Sequence, residues 1–246
     1  MSKYKNYLSV SIVCVTVIIS LLILTHSYKA RDRFNDTINV TGLGRQDFVS
    51  DLIVWSGSFG SKDLVLETAF KYLQKDKERI QEYLVSQGVN AEEIVFSSVD
   101  IDRENKNLYD KEGDYIGSEF IGYSLSQRVD LESKEVEKIE NISRSITTLI
   151  NKGIAIYSSS PQYYYTKLAE LKIDLVAEAT QDARIRADKI AENAKAKVGN
   201  LYDAKMGVFQ IIEQNSSEDH SWGGTFNTSA KMKTATITMK LVFGVN

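Results

Sequence analysis

The residues best suited to chemistry lie in a loop near the carboxyl end of the chain. His220 follows Glu218 and Asp219, and imidazole with carboxylates is a donor set that binds Zn²⁺. Adjacent residues rarely converge on one ion, however, and the sequence has neither two histidines at metal-ligand spacing nor a pair of cysteines. A Ser-His-Asp triad would also need His220, yet no G-x-S-x-G nucleophile turn is present. We therefore predict a solvated loop here.

A second group of candidate ligands is an acidic stretch in the middle of the chain. Its members are Asp100, Asp102, Glu104, Asp110, Glu112 and Asp114. The first three alternate as in a calcium loop, which places oxygen ligands at alternate positions and glycine at the sixth. Asn105 occupies that glycine position, and no glutamate closes the loop. We expect a solvated hairpin tip, with a cation site as the alternative.

Other catalytic patterns are incomplete. Gly42-x-Gly44 lacks the third glycine and the following helix of a dinucleotide-binding turn. No pair of acids is singled out by its context for hydrolysis, which needs two carboxyl groups facing each other across a pocket. We predict no catalytic, cofactor-binding or metal-binding residues and a protein that is not an enzyme. The alternative is a stress-related or small-molecule-acting enzyme that uses the acidic hairpin or the His220 loop.

Aromatic residues mark two candidate contact surfaces. Tyr163, Tyr164 and Tyr165 follow Pro161, and Trp222 precedes the pair Gly223-Gly224. Aromatic side chains are enriched at protein interfaces. The alternative is that the tyrosines pack inward, and the sequence leaves both interpretations open.

Composition narrows the class of protein. The 246 residues carry a formal net charge of −3, whereas nucleic-acid-binding modules usually present a basic face, so we expect no nucleic-acid partner. The single cysteine, Cys14, lies in an apolar run near the amino terminus. The remainder of the chain therefore forms no disulfide, which is compatible with an oxidising compartment without proving one.

That apolar run predicts a membrane anchor. Residues Leu8 to Thr25 contain no charge, and as a helix they span about 27 Å, close to the thickness of a bilayer core. We divide the amino-terminal region into a tail (1–7), a transmembrane anchor that contacts membrane lipid (8–25) and a linker (26–36). A cleaved signal peptide is the alternative, although no A-x-A-like site follows the run. Lysines and arginines flank both sides, so charge does not set the orientation.

The rest of the chain alternates between two hydrophobic periods. Apolar residues spaced by three and four predict helices, and alternating residues predict strands. The predicted helices are 64–87, 134–152 and 166–198, and the predicted strands are 37–44, 52–59, 94–101, 120–131, 154–158, 201–213 and 232–245. A hairpin turn is expected near Glu112-Gly113. Neighbouring strands joined by hairpins imply antiparallel sheets with packed helices, an α+β fold, and the recurring order hints at two related halves.

Several of these residues resemble one family. Val40-Thr41-Gly42-Leu43-Gly44 is similar to the V-T-G-x-G opening of SIMPL (DUF541) domains. Gly122-Tyr123 through Val129 resembles a second family pattern, and Asp182-Ala183-Arg184 through Ala191, with Gly199 after it, resembles the long carboxyl-terminal helix. The ordered set covers nearly all of residues 37–245, and we predict one SIMPL-like domain over residues 37–246. One departure is Ser50-Asp51, where the family often has Pro-Asp.

The resemblance implies a compartment and a mode of action. It implies an exported bacterial protein of the cell envelope, anchored in the inner membrane with its carboxyl-terminal domain outside the cytoplasm. Relatives include outer-membrane antigens, proteins linked to oxidative stress and ring-like oligomers, and the family has no established catalytic residues. We therefore expect a homo-oligomer, or a module that binds proteins whose identity the sequence does not give.

Overall fold

A computed structural model describes residues 15–25, 36–216 and 223–246. Its fold is α+β with antiparallel sheets, as the sequence predicted. The strands are β1 (Thr37–Val49), β2 (Leu52–Asp63), β3 (Ile94–Phe96), β4 (Asp100–Tyr109), β5 (Tyr115–Ser133), β6 (Ile156–Ser158), β7 (Gln162–Tyr164), β8 (Val198–Met206), β9 (Gln210–Glu213) and β10 (Met232–Val245). The helices are α1 (Leu66–Ser86), α2 (Val136–Ser145) and α3 (Leu168–Asn193), with 3₁₀ turns at Ala91–Glu93 and Ile146–Lys152.

The amino-terminal prediction is only partly covered by the structure. Residues 15–25 are helical and exposed, whereas residues 8–14 of the predicted anchor and 26–35 of the predicted linker lie outside the described residues. In the part of the chain that is described, no helix combines the length and apolarity that a membrane span requires. The anchor over residues 8–25 therefore stays a prediction.

The strands form two sheets. The terminal sheet has the order β1-β10-β8, with β9 also pairing with β10, and the central sheet has the order β3-β5-β2-β6, with β4 on β5 and β7 on β2. Every ladder between these strands is antiparallel. The terminal sheet joins the two ends of the folded region, and the central sheet uses the middle. The two halves suggested by the sequence are therefore not successive along the chain.

The pairing of the first two strands differs from the hairpin prediction. β1 pairs with β10 along its whole length, and β2 pairs with β5 in the other sheet. The chain changes sheets at Ser50 and Asp51, whose backbone N–H groups donate to Lys231 O (2.9 Å) and Tyr164 O (3.0 Å). These bonds satisfy the two backbone N–H groups at the crossing. The chain therefore passes from β1 to β2 without a hairpin turn.

Two predicted strands are each interrupted. The strand expected at 94–101 is divided into β3 and β4; at the break the Ser97 carbonyl accepts from Gln127 Nε2 at 2.7 Å and the Ser97 hydroxyl accepts from Arg128 N–H at 3.0 Å. The strand expected at 201–213 is divided into β8 and β9, and just after β8 the N–H of Gly207 still donates to Thr238 O of β10 at 2.8 Å. The long helix ends at Asn193 rather than 198, and the one predicted at 134–152 becomes α2 followed by a 3₁₀ turn.

Each sheet has its own apolar core. In the central sheet, Trp55 and Phe59 pack under Leu73 and Ile80 of α1. In the terminal sheet, the buried side of α3 presents alanines spaced by four residues, and this small surface lets the helix approach the strands closely. The predicted hairpin turn is confirmed, because Asp110 N–H donates to Asp114 O at 3.0 Å and Gly113 adopts a φ of 90°.

Candidate functional site

The glycines of β1 are the closest contact between α3 and the terminal sheet. A Cβ atom added to Gly42 would lie 2.0 Å from Ala179 O and 2.8 Å from Ala183 Cβ. A Cβ on Gly44 would lie 2.3 Å from Leu175 O. Real Cβ atoms do not approach a backbone oxygen this closely, so only glycine fits under the helix. The glycines of the V-T-G-x-G segment therefore allow α3 to pack closely on β1, and this packing explains them without a phosphate-binding turn.

Two carboxylates of α3 bond to the outer edge of β1. Leu43 N–H donates to Asp182 Oδ2 at 2.8 Å, and one helical turn earlier Glu178 Oε2 accepts from Arg45 N–H at 3.3 Å. The Arg186 guanidinium and the Leu43 N–H both hold the pKa of Asp182 below its ordinary value. An unpaired strand edge is a template for another strand, and here side chains occupy it. Asp182 thus has a structural role at the edge of the sheet, where it bonds the Leu43 N–H.

Replacing Asp182 tests this structural role. We expect Asp182→Ala to lower the free energy of unfolding by about 1–2 kcal/mol, because an edge N–H loses a charged acceptor. The matched control is Asp174→Ala on the exposed side of the same helix, which should change stability by less than about 0.5 kcal/mol. Urea unfolding followed by circular dichroism measures both. Equal effects of the two substitutions would contradict the role assigned to Asp182.

The second family pattern also has a structural cause. Gly122 lies in β5 where that strand extends beyond the end of β2, and its φ is 145°. A Cβ there would lie 2.9 Å from Asp63 O. Across the strand pair the register shifts between Glu104 and Asn105, which makes a bulge. The Gly-Tyr pair therefore marks the point at which β5 departs from the sheet with β4.

Asp51 fastens the crossing between the sheets. Its Oδ1 accepts from Thr166 N–H and its Oδ2 from Thr166 Oγ1, both at 2.7 Å. The preceding residue departs from the family's proline, and Ser50 uses the N–H that proline lacks to bond Lys231 O. The departure therefore adds a hydrogen bond at the crossing and leaves the fold unchanged.

Lys233 is the most unusual titratable group in the described structure. It lies on the core face of β10 and is 2% exposed, and its ammonium donates to the backbone oxygen of Tyr163. Burial lowers its pKa from 10.5 to about 8. The sequence contained a signal for this residue, since the alternation of Ala235 and Ile237 places Lys233 on the same buried face.

A polar cluster lies beside Lys233. Lys231 Nζ contacts Glu140 Oε2 at 3.1 Å, and this bond raises the pKa of Lys231. Burial, together with the negative charge of Glu140, raises the pKa of the Tyr163 hydroxyl. Since these groups belong to α2, β7 and the approach to β10, the cluster ties the central sheet to the terminal sheet.

The tyrosine cluster mainly packs inward. Tyr163 is buried within β7, and Tyr165 lies against Phe48 with a ring separation of 4.8 Å. Tyr164 is half-buried, and its hydroxyl donates to Gln162 Oε1 at 2.7 Å. Of the two interpretations left open by the sequence, core packing holds for Tyr163 and Tyr165. Trp222 lies outside the described residues.

The acidic residues of the hairpin do not converge. Glu104 forms an ion pair with Lys62 of β2. At the far end, Asp110 Oδ1 accepts from the N–H groups of Glu112 (3.0 Å) and Asp114 (2.8 Å) and so builds the turn. The strand between Glu104 and Asp110 separates the two groups by about 20 Å at the usual rise per residue. The acidic residues at the two ends of this strand therefore do not face one common site.

The loop with His220 cannot be compared in the same way. Residues 217–222, including Glu218, Asp219 and His220, lie outside the described residues. Elsewhere in the described chain, no three acidic, histidine or cysteine side chains are placed to hold one metal ion. The predicted solvated loop at His220 stays a prediction.

Two open clefts were not predicted. The larger, of about 530 Å³, lies between α1 and the 3₁₀ turn after α2 and is lined by Arg79, Glu82, Tyr83, Ser86, Leu149 and Lys152. The other, of about 370 Å³, lies along β2 and β5 and is lined in part by Ser58, Ser61, Ser124 and Ser126. Neither set is adjacent in sequence, so no motif could have indicated them.

These contacts define an α+β protein with two antiparallel sheets, in which the recognisable sequence motifs pack α3 on the terminal sheet and mark where β5 extends beyond the central sheet. The family model described as "SIMPL: Protein of unknown function (DUF541)" matches residues 38–241. The chain therefore belongs to the SIMPL family, as the motifs indicated. No curated protein matches the chain in sequence.

Proposed function

We propose that this chain is a non-enzymatic module of the bacterial envelope that acts by binding proteins, including further copies of itself. In this proposal residues 8–25 anchor it in the inner membrane, and the folded region from residue 37 onward faces away from the cytoplasm. The family model carries no biochemical role. The family-motif residues hold the fold together. Support for the proposal therefore comes from other residues, which lie on the exposed surfaces of the chain.

The main supporting observation is the arm, which we define as residues 103–121 of β4 and β5. β2 pairs with β5 only from Tyr123 onward, so the arm stands beyond the rest of the central sheet as a two-stranded ribbon. Several large apolar side chains of the arm are exposed to solvent: Tyr109 is 58% exposed, Tyr115 60%, Ile116 62% and Ile121 45%.

Contacts within the arm account for only a few of these exposed side chains. Tyr109 and Tyr115 meet edge to face at 6.1 Å near the tip, and Arg103 lies 4.7 Å from the Phe120 ring near the base. A two-stranded ribbon is marginally stable by itself in water. The adjacent, exposed rings of Tyr109 and Tyr115 form an apolar surface at the tip of this ribbon, a feature typical of a protein-binding site.

Site-specific photo-crosslinking tests the arm as a contact surface. A photo-reactive amino acid replaces Tyr115 in the full-length chain within its membrane, and illumination should give an adduct heavier than the monomer. The matched control is Tyr72 on α1, an aromatic residue that is 54% exposed. Adducts at Tyr115 but not at Tyr72 are expected. Equal labelling at both positions, or none at either, would remove the support for the arm.

The compartment needs a separate experiment. Alkaline phosphatase, which is active only outside the cytoplasm, is fused after Asn246, and a cytoplasmic β-galactosidase fusion at the same position is the control. High phosphatase with low galactosidase activity is expected. The reverse pattern would place the folded region in the cytoplasm and contradict the proposed orientation.

A further inference from the structure

The two edges of the terminal sheet are treated differently. On the β1 edge, α3 supplies Asp182 and Glu178 as acceptors for backbone N–H groups. On the opposite edge, β8 pairs with β10 on one side, and within the described residues no strand pairs with its other side. Two N–H groups of the β1 edge are thus bonded by the chain's own side chains, whereas within the described residues no strand bonds the outer backbone of β8.

β8 is also uncovered on both faces. From Asn200 to Met206 every residue is exposed. Leu201 and Met206 pair with Phe243 and Met239, whose side chains lie in the core, yet they are themselves 50% and 65% exposed because α3 lies over β1 and β10. Apolar residues on an open strand edge favour association with another strand.

The charged residues of β8 favour the β8 strand of a second copy as its partner. Asp203 and Lys205 flank Ala204. In an antiparallel pair of two β8 strands with Ala204 opposite Ala204, each Asp203 faces Lys205 of the other copy. A register shifted to either side would place Asp203 opposite Asp203 or Lys205 opposite Lys205. Opposite charges directly across a strand pair are stabilising and like charges are destabilising, so the sequence of β8 is complementary to itself.

The neighbouring strand strengthens this preference. Lys205 pairs in register with Lys240 of β10, which puts two ammonium groups on adjacent strands. Within the chain, Asp203 contacts Lys205 at 3.4 Å. A second Asp203 arriving from the partner copy would add a negative charge beside this basic pair. Tyr202 would at the same time lie opposite Met206 of the other copy and cover apolar surface.

We propose that β8 is the edge at which two copies of this chain join, antiparallel about Ala204, so that their terminal sheets form one continuous sheet. The inference rests on the proposed function and names a second copy as the partner of this edge. The pairing is two-fold symmetric and closes on itself, so it gives a dimer and leaves the arm free for other contacts.

A charge exchange tests the pairing in the full-length chain solubilised in detergent. D203K puts Lys opposite Lys in both pairs and should raise the dimer dissociation constant roughly tenfold. D203K combined with K205D restores opposite charges and should return the constant to within about twofold of the original. Weakening by the single substitution without rescue by the double substitution would overturn the register. No weakening by D203K would overturn the pairing.

Disulfide trapping tests the same geometry independently. In a Cys14→Ser background, Ala204→Cys places two cysteines opposite each other with about 4.5–5.5 Å between their Cα atoms, within the range that a disulfide bridges. Mild oxidation should give a covalent dimer, whereas the control Thr41→Cys on the covered β1 strand should not. A chain that is oligomeric in solution but does not cross-link through position 204 overturns the β8 pairing alone. A chain that remains monomeric overturns the pairing and self-association together.

Discussion

Gly42→Ala should destabilise the protein by about 3 kcal/mol or more. The new methyl group would lie 2.0 Å from Ala179 O, so α3 would have to move away from β1. Inserting atoms into a close-packed contact commonly costs about 1–3 kcal/mol, and here the obstacle is backbone that cannot rotate aside. The displaced helix would also withdraw Asp182 from Leu43. Urea unfolding of the full-length chain in detergent, followed by circular dichroism, measures the change.

The matched control is Gly223→Ala, because among the described residues no atom lies within 4 Å of a Cβ built at that glycine. We expect its effect to stay below about 1 kcal/mol. A Gly42→Ala protein as stable as the original would show that α3 does not lie on the glycines of β1. The account of the family motif as a packing feature would then be wrong.

Lys233→Met should remove a rise in stability at alkaline pH. Burial lowers the pKa of Lys233 to about 8 in the folded chain, against 10.5 for an exposed lysine. The unfolded chain therefore holds more protons between these values, and stability increases as pH rises from about 8 to about 10.5. Below pH 8 the ammonium is charged in both states, and its burial cost is fully present. The methionine variant has no such group.

The measurement compares the pH dependence of two unfolding free energies. Between pH 8 and 10.5 the original protein should gain roughly 2–3 kcal/mol relative to Lys233→Met. Lys240→Met is the control for the loss of a lysine from β10, since Lys240 belongs to the same strand but is exposed. Parallel curves for Lys233→Met and the original protein would mean that this lysine is not desolvated.

Local patterns in the sequence predicted most of the elements. The three-and-four spacing located α1 and the start of α2, and the alternation in 232–245 gave β10 and its buried face. These signals are visible because each helix or strand buries one side against its own sheet. The turn at Gly113 was visible for a similarly local reason, as glycine is favoured where φ is positive.

The pairing of strands was beyond the reach of those patterns. β1 and β2 are neighbours in sequence but belong to different sheets, and β1 finds its partner in β10 near the other end of the chain. Alternation tells which side of a strand is buried, not which strand lies beside it. The role of Gly42 was hidden for the same reason, since its contact with Ala183 joins residues far apart in sequence.

The two candidate surfaces, the arm and the β8 edge, were not predicted from the sequence. In the arm, charged residues outweigh the apolar signal. The stretch from Arg103 to Asp114 is rich in charges, so the sequence favoured a solvated hairpin. In the structure the same stretch is half of an ordered arm whose tyrosines and isoleucines are exposed. β8 looked like an ordinary strand, because its position at the sheet edge within the described residues and the exposure of its side chains are properties of the whole sheet.

The mass of the detergent-solubilised, full-length chain tests the central proposal most directly. Multi-angle light scattering, with the detergent contribution subtracted by refractive index and absorbance, gives the protein mass per particle for a chain of 27.7 kDa. Action through self-association predicts a mass of at least two chains that falls towards one on dilution. A particle holding a single chain at every concentration measured would contradict it.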